Sequence, residues 1–314
     1  MIEIQNVTKK YGNYTALNNL NFKIEKGEIV GFLGPNGAGK STTMNIITGY
    51  ISATQGTVKV DGLDILENPK EVKKKIGYLP EIPPVYMDMT VEEYLDFVAK
   101  IKGVSSKERE EHISKVVKLT KVEKVRKRLI KNLSKGYRQR VGLAQAIMGD
   151  PEILILDEPT VGLDPKQIID MRNLIKEIGK SHTVLLSSHI LSEVSAVCSR
   201  IVIINKGHIV ASGTPEELSK MLSYSDKLLI RVKADEKAAG KVISELDNVK
   251  SYSSEGSHEK GTFDFVIESE KDKDIRENVF SAFCNANYPI LMMKNENLNL
   301  EDIFLKVTDE GTGR

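Results

Sequence analysis

The sequence predicts an α/β fold with a mixed core sheet, antiparallel N-terminal strands and a helical subdomain, followed by a small α+β domain. A glycine-rich loop at residues 34–42 lies between a short apolar run and a segment with the pattern of a helix start. A second apolar run, residues 153–156, ends in two acidic residues, as expected of a strand buried on both faces. Residues 226–314 alternate in the order β-α-β-β-α-β, which is typical of a ferredoxin-like sandwich.

The composition is that of a globular protein with two domains. The 314 residues are 40% hydrophobic and 28% charged, and we place a large domain at residues 1–222 and an accessory domain at 226–314. A net charge of +1 argues against a surface that binds nucleic acid or an anionic membrane. No run approaches the ~18 apolar residues of a membrane span, and the N-terminus lacks a signal-peptide pattern. We expect Cys198 and Cys284 to be free thiols in a reducing compartment.

The chain begins with two alternating segments, residues 2–4 and 20–24, which predict antiparallel strands leading into a buried strand at 28–33. Tyr11 lies between them, directly before a glycine. Such a tyrosine is either an aromatic residue at a strand end or a flat ring that stacks on a nucleotide base. The loop that follows favours stacking.

That loop fits the pattern of Gly, four residues, then Gly-Lys-Ser. A strand, a glycine-rich loop and a helix N-terminus together form a cradle for a phosphate, because backbone N–H groups and the helix dipole converge there. The predicted phosphate-binding residues are Gly34, Pro35, Asn36, Gly37, Ala38, Gly39, Lys40, Ser41 and Thr42.

The next region, about residues 82–150, changes to helical apolar spacing and predicts the helical subdomain. The prolines of residues 80–84 predict a stiff entry that can act as a lever between two bodies. The basic run 121–128 has Val122 and Val125 spaced as on one helix face, and we interpret it as a solvated helical surface. Ser134, at a predicted helix start, is either an N-cap or a phosphate contact.

Two polar sites follow buried strands. Asp157 and Glu158 come directly after residues 153–156, where open α/β sheets bind their ligands. They either end the strand in solvent or divide the work of holding Mg²⁺ and activating water. His189 ends the strand predicted at 183–188 and is either a structural hydrogen-bonding residue or a phosphate contact. A hairpin at 201–211 and a helix capped by Thr214 complete the large domain.

In the accessory domain, the pattern predicts strands at 228–232, 249–253, 262–267 and 290–293, with helices at 237–246 and 275–286. A short amphipathic helix is predicted at 300–307, where a dimer contact, a regulatory role and simple stabilisation all remain open.

Taken in order, Tyr11, the phosphate loop, the Leu-Ser-Lys-Gly-Tyr segment at 133–137, the Asp157-Glu158 pair, the loop at 161–164 and His189 resemble an ABC transporter ATP-binding subunit. The resemblance covers about residues 1–222 and implies the ABC type of P-loop NTPase fold, which binds ATP and Mg²⁺. It implies that Tyr11 stacks on adenine and that Lys40 reaches the β- and γ-phosphates. Ser41 and Asp157 would serve Mg²⁺, Glu158 would polarise water, and His189 would contact the γ-phosphate.

The resemblance also implies a second ATP-binding subunit, with two chains sharing two ATP molecules head to tail as a homodimer. Ser134 and Gly136 would contact the γ-phosphate held by the opposite subunit, and Asp164 would lie at the dimer seam. ATP binding would close the two bodies and hydrolysis would release them.

Two motifs differ from the common pattern of such subunits. Glu81 replaces a glutamine, and Lys135 and Tyr137 interrupt the usual Leu-Ser-Gly-Gly-Gln. Glu81 keeps an oxygen that can face Mg²⁺ and the attacking water, while Ser134 and Gly136 keep the phosphate-facing donors. These variants resemble the branch whose partners are six-helix exporter-type permeases.

We therefore expect the motor of an exporter, peripheral at the cytoplasmic face of the membrane and bound to its permease through residues 81–95. The competing hypothesis is a soluble ABC ATPase acting on a cytosolic complex; near-neutral charge argues against a nucleic-acid partner. A catalytically idle regulatory cassette is a third possibility, and the intact Lys40, Glu158 and His189 argue against it.

Overall fold

The structure is a computed structural model that describes residues 1–222, 227–257, 259–270 and 273–295. It divides after Pro215 into two compact units, which are described separately below. None of the described helices is both long enough and apolar enough to cross a bilayer. The domain boundaries placed at residues 222 and 226 from sequence remain a prediction.

The first unit contains two sheets and the helices packed on them. Its strands are β1 (Ile2–Tyr11), β2 (Tyr14–Ile24), β3 (Ile29–Leu33), β4 (Gln55–Val60), β5 (Leu63–Asp64), β6 (Ile76–Leu79), β7 (Ile153–Leu156), β8 (Thr183–Ser188), β9 (Arg200–Asn205) and β10 (His208–Gly213). Its helices are α1 (Lys40–Ile47), α2 (Pro69–Lys75), α3 (Val91–Ile101), α4 (Arg109–Leu119), α5 (Lys135–Ile147), α6 (Pro165–Gly179) and α7 (Leu191–Ser195). Helix α8 (Pro215–Leu222) begins at the division.

The N-terminal sheet has the order β2-β1-β4-β5, and its neighbouring strands are antiparallel as predicted. The core sheet has the order β10-β9-β3-β8-β7-β6, in which only the β9–β10 pair is antiparallel. Every residue of β7 and β8 is buried, which explains why β7 is an unbroken apolar run. Because β3, β8 and β7 are adjacent and parallel, the segments that follow them emerge at one edge of the sheet.

Helix α7 packs unusually close to the core sheet because β3 contains a glycine. A Cβ added to Gly31 would lie 1.9 Å from Val194 Cγ1 and 3.1 Å from Cys198 Sγ. No side chain fits in that space. This close approach fixes the position of the helix that directly follows His189.

The predicted helical subdomain is present as α3, α4 and α5. Thr90 and Glu93 form a capping box at the start of α3, which satisfies two otherwise unpaired backbone N–H groups. Glu92 forms an ion pair with Arg126, with Nη2 and Oε1 3.0 Å apart. Both acidic residues at this helix start therefore have structural roles.

The basic run 121–128 is not a continuous helix. Helix α4 ends at Leu119, Lys121 has a left-handed φ of 57°, and only Glu123–Val125 forms a single 3₁₀ turn. Val122 and Val125 are buried at 0% and 3% exposure. The prediction of a helix from the valine spacing is thus wrong, although the lysines around the two valines are exposed.

The second unit has the predicted β-α-β-β-α-β order. Its elements are β11 (Lys227–Val232), α9 (Glu236–Ser244), β12 (Val249–Gly256), β13 (Phe263–Ser269), α10 (Arg276–Asn285) and β14 (Ile290–Asn295). The sheet order is β12-β13-β11-β14 and all its pairs are antiparallel, which is the ferredoxin-like arrangement. One face of the sheet packs its apolar side chains against both helices. The helix predicted at 300–307 lies outside the described residues.

Candidate functional site

The first unit has a cleft of about 330 Å³ where the phosphate loop meets the ends of β7 and β8. Its lining includes most of the predicted phosphate-loop residues together with Glu81, Glu158 and His189. The lining residues are Tyr11, Tyr14, Ala16, Asn36, Gly37, Gly39, Lys40, Ser41, Thr42, Glu81, Glu158, Val161 and His189.

The phosphate loop has the geometry of an anion cradle. Gly39 is the N-cap of α1 with φ of 110°, which L side chains rarely adopt. A Cβ at Gly39 would also lie 2.5 Å from Leu17 Cδ2 and 3.0 Å from the Ala16 carbonyl oxygen. Both restrictions make glycine necessary at this position, where the chain turns so that the first N–H groups of α1 face the cleft.

Lys40 is held in place at the floor of the cleft. Its side-chain nitrogen donates to the carbonyl oxygens of Gly34 at 2.8 Å and Pro35 at 3.2 Å. The same nitrogen lies 3.4 Å from Glu158 Oε1, and the two side chains are only 6% and 9% exposed. The loop's own backbone therefore orients the ammonium group toward the carboxylate.

Glu158 stands between Lys40 and His189. Its second oxygen, Oε2, accepts a hydrogen bond of 2.9 Å from Nδ1 of His189. The residue has a φ of 48°, a strained value for a glutamate and one often found at functional sites. A carboxylate held by a cation on one side and an imidazole on the other can orient a water molecule and accept its proton.

Asp157 lies beneath the cleft rather than in its lining. It is 3% exposed and accepts a hydrogen bond from the Ser187 hydroxyl, and the oxygen of that hydroxyl accepts from the Glu158 backbone N–H at 2.9 Å. Burial, together with the nearby Asp157 charge, raises the pKa of Tyr78 to about 12. The Ser41 hydroxyl and the Asp157 carboxylate offer the hard oxygen donors that suit Mg²⁺. The described residues contain no group of three or more acidic, histidine or cysteine ligands.

Two tyrosines stand at the entrance of the cleft. Tyr11 at the end of β1 is 49% exposed, and the Lys9 ammonium lies 5.1 Å from the centre of its ring. Tyr14 pairs with Tyr11 across the β1–β2 turn and also lines the cleft. The sequence reasoning missed Tyr14, although a tight turn between two tyrosines was a usable signal.

The remaining predicted residues lie outside this cleft. Ser134 is the N-cap of α5 and accepts from the Tyr137 N–H at 3.4 Å, while Asp164 is the N-cap of α6 and accepts from the Gln167 N–H at 2.9 Å. A Cβ on Gly136 would lie 2.6 Å from Gln167 Oε1. The structure therefore separates the predicted residues into a cleft and a second group at the starts of α5 and α6.

Comparison with known proteins agrees with this geometry. Residues 17–161 match the family model described as ABC transporter. The bacitracin transport ATP-binding protein BcrA of Bacillus licheniformis is 32% identical over 99% of this chain and 98% of its own length. The linearmycin resistance ATP-binding protein LnrL of Bacillus subtilis strain 168 is 31% identical over 98% of each chain.

A solved structure adds the assembly. The dimeric post-hydrolysis state of an ATP-binding cassette bound to ADP and Pi is similar to 68% of this chain and 98% of its own, with a TM-score of 0.62 and 29% identity. The ABC type of cassette fold and ATP binding, both expected from the sequence, are thereby confirmed. The chain belongs to the ATP-binding subunits of ABC transporters, and it is an ATPase that drives transport across a membrane.

Proposed function

We propose that this chain powers an exporter of antibiotic-like compounds, and that Lys40, Glu158 and His189 carry out its ATP hydrolysis. The buried contacts of Glu158 with both other residues are the observation that carries the proposal. The cargo class rests on the two full-length relatives, whose names refer to bacitracin and linearmycin. Since a motor subunit contacts ATP and its permease, the cargo itself is selected elsewhere.

The proposed division of roles follows the positions of the side chains. Lys40 neutralises phosphate charge, Glu158 orients the attacking water and accepts its proton, and His189 holds Glu158 while contacting the γ-phosphate. Tyr11 stacks on adenine. Ser41 and Asp157 would hold Mg²⁺, which neutralises charge on the β- and γ-phosphates when bound. Glu81 also lines the cleft, and its carboxylate would face the same region.

A second copy of the chain would complete each site. Ser134, Gly136 and Asp164 do not line their own chain's cleft, yet Ser134 lies at a helix start, where N–H groups bind anions. In a head-to-tail homodimer this helix start would face the ATP held by the partner. Each ATP would then hold the two chains together until it is hydrolysed.

The permease would bind where the proline-rich segment meets the helical subdomain. Two hollows lie on this segment: one of about 490 Å³ lined by Ile82 and Pro83, and an outer groove of about 580 Å³ lined by Pro80 and Pro84. Tyr50 lines the outer groove and is 80% exposed, as expected of an aromatic residue that a partner covers. We place a permease helix in the outer groove, next to the predicted contact region 81–95, which would hold the subunit at the cytoplasmic face of the membrane.

Replacing Glu158 by glutamine tests the proposed chemistry. We expect ATP turnover to fall by about 10²- to 10⁴-fold, the usual contribution of a general base, because glutamine cannot accept the proton. ATP binding and an ATP-dependent dimer should survive, which gel filtration with and without ATP would show. Glu123→Gln, at an exposed carboxylate of the helical subdomain, is the matched control. Normal turnover in Glu158→Gln would remove this residue from the proposed role.

A further inference from the structure

A buried polar cluster lies directly behind the proposed catalytic pair, and none of the roles above uses it. It consists of Thr160, Ser187, Ser188 and Glu193, none of which is more than 6% exposed. These residues come from the turn after β7, from the end of β8 and from α7. Buried polar groups are costly unless they are hydrogen-bonded, so the contacts within the cluster indicate what it does.

Glu193 is the acceptor at the centre of this cluster. Its Oε2 atom accepts a hydrogen bond from the Thr160 hydroxyl and a second, at 3.4 Å, from the Ser188 hydroxyl. The Ser188 oxygen in turn accepts from the Ile190 N–H at 3.0 Å. Among the described residues, no lysine, arginine or histidine forms an ion pair with Glu193. Within the part of the chain that the structure describes, this buried carboxylate is therefore held by two hydroxyl groups.

The two donors belong to the two segments that carry the proposed catalytic pair. Thr160 follows Glu158 by two positions, in a turn closed by a 3.1 Å hydrogen bond from the Val161 N–H to the Glu158 carbonyl oxygen. Ser188 directly precedes His189. One carboxylate thus joins the turn after β7 to the end of β8, at the point where the Glu158 and His189 side chains meet.

Ser187 provides a second link in the same place. It connects the Asp157 side chain to the backbone N–H of Glu158, whose left-handed φ needs such support. Glu158 is thus anchored at its own backbone by Ser187, and through the next turn of chain by Glu193. A misplacement of ~1 Å at a reacting group can reduce a rate by about 10²-fold.

We propose that Glu193 is a positioning residue for ATP hydrolysis, which holds the turn bearing Glu158 against the strand end bearing His189. The inference rests on the proposed roles of those two residues and extends them to a residue that does not touch the nucleotide cleft. Because Glu193 lies behind the catalytic pair rather than beside ATP, its loss should lower kcat and leave the KM for ATP nearly unchanged.

Four variants of the purified chain test this role. Glu193→Ala should lower kcat by about 10- to 100-fold with the KM for ATP changed by no more than ~2-fold. Glu193→Gln keeps an oxygen acceptor, and the hydroxyls can rotate to meet its amide group, so it should recover most of the rate. Thr160→Val removes one donor at nearly constant volume and should also lower kcat. The Thr160→Val/Glu193→Ala double variant should be no slower than Glu193→Ala, since both changes break the same contact.

Thr120→Val is the matched control for a buried threonine hydroxyl. Thr120 is fully buried and its hydroxyl donates to the Val116 carbonyl oxygen at 2.9 Å, within the helical subdomain. This variant should keep the wild-type kcat, and melting temperatures would report any loss of stability in all variants. A kcat loss in Thr120→Val equal to that in Thr160→Val would assign the effect to general destabilisation and overturn the inference.

Measuring Glu158→Gln in parallel distinguishes a failure of the Glu193 inference from a failure of the proposed function. One outcome is that Glu158→Gln loses turnover while Glu193→Ala, Glu193→Gln and Thr160→Val all keep the wild-type kcat. Glu193 would then have no positioning role, and the proposed function would stand. If Glu158→Gln itself keeps its turnover, the proposed chemistry is wrong. Should Glu193→Ala fail to fold, a normal kcat in Thr160→Val is sufficient to reject the role of Glu193, and a reduced kcat at unchanged KM supports it.

Discussion

The ion pair between Lys40 and Glu158 permits a quantitative prediction about both stability and ATP binding. The charged atoms lie 3.4 Å apart and the side chains are 6% and 9% exposed. At an effective dielectric constant of ~20, two unit charges at this distance attract by about 5 kcal/mol before desolvation is counted. Desolvation offsets most of that attraction. We therefore expect a net coupling of about 0.5–3 kcal/mol between the two residues, the range found for side chains in direct contact.

A double-mutant cycle measures this coupling. Lys40→Ala leaves the buried Glu158 carboxylate with His189 alone, so it should lower the free energy of unfolding of the nucleotide-free chain. Glu158→Gln removes the charge that Lys40 neutralises, and the double variant should be more stable than the sum of the single effects predicts. Urea unfolding followed by far-UV circular dichroism suits a chain without tryptophan. Free energies that add within about 0.5 kcal/mol would show that the pair contributes nothing and refute the reasoning.

The same substitution should weaken nucleotide binding. Lys40→Ala removes a charge-assisted hydrogen bond to phosphate, so we expect ATP affinity to fall by about 1.5–3 kcal/mol, or roughly 10- to 150-fold. Equilibrium binding of a fluorescent ATP analogue would measure it. Lys26→Ala, at an exposed lysine in the turn before β3, is the control and should bind normally. Wild-type affinity in Lys40→Ala would mean that Lys40 serves only to pair with Glu158.

Three further outcomes are expected. Tyr50→Glu, in the outer groove, should reduce export in membrane vesicles while the isolated chain keeps its ATPase rate; loss of both activities would indicate misfolding instead. Gly31→Ala should lower stability in urea by about 1–3 kcal/mol through its contact with Val194, and adding Val194→Ala should recover part of the loss. A thiol reagent should modify the exposed Cys284 quickly. Burial raises the pKa of the Cys198 thiol, so Cys198 should react only on unfolding. Rapid labelling of two thiols in the folded chain would contradict this.

The sequence was sufficient to predict the cleft because the topology of parallel sheets brings distant segments together. The phosphate loop, the acidic pair and His189 follow β3, β7 and β8, which are neighbours in the core sheet. Each strand could be identified as a short apolar run, and residues that end such runs share one edge of the sheet. Their convergence therefore did not require knowledge of any side-chain contact.

Features that depend on packing could not be predicted in the same way. Val122 and Val125 have a spacing that fits a helix, and the left-handed backbone at Lys121 that ends the helix leaves no mark in the apolar pattern. Glu193 looks like an ordinary surface residue of a short helix. Its carboxylate is buried because that helix packs closely on Gly31 of the core sheet, next to the turn after β7 that carries Thr160 and the end of β8 that carries Ser188.

The proline-rich segment 80–84 lies between the nucleotide cleft and the outer groove in which we propose that the permease binds. Glu81 lines the nucleotide cleft, its carbonyl oxygen accepts a 3.3 Å hydrogen bond from the Gln139 side chain of α5, and Pro84 lines the outer groove. Because prolines restrict the backbone of this segment, we expect a displacement at Glu81 to move the groove wall rather than to be absorbed by local bending. Glu92 and Glu93 are unsuitable for probing this route, because their roles in the ion pair and the capping box mean that charge reversal would disturb α3 itself.

Exchange of Pro83 and Pro84 for alanine should instead loosen the connection while leaving the contacts of Glu158 intact. ATP turnover in a reconstituted transporter should then continue with less export per ATP. An unchanged ratio of export to hydrolysis would show that coupling takes another path.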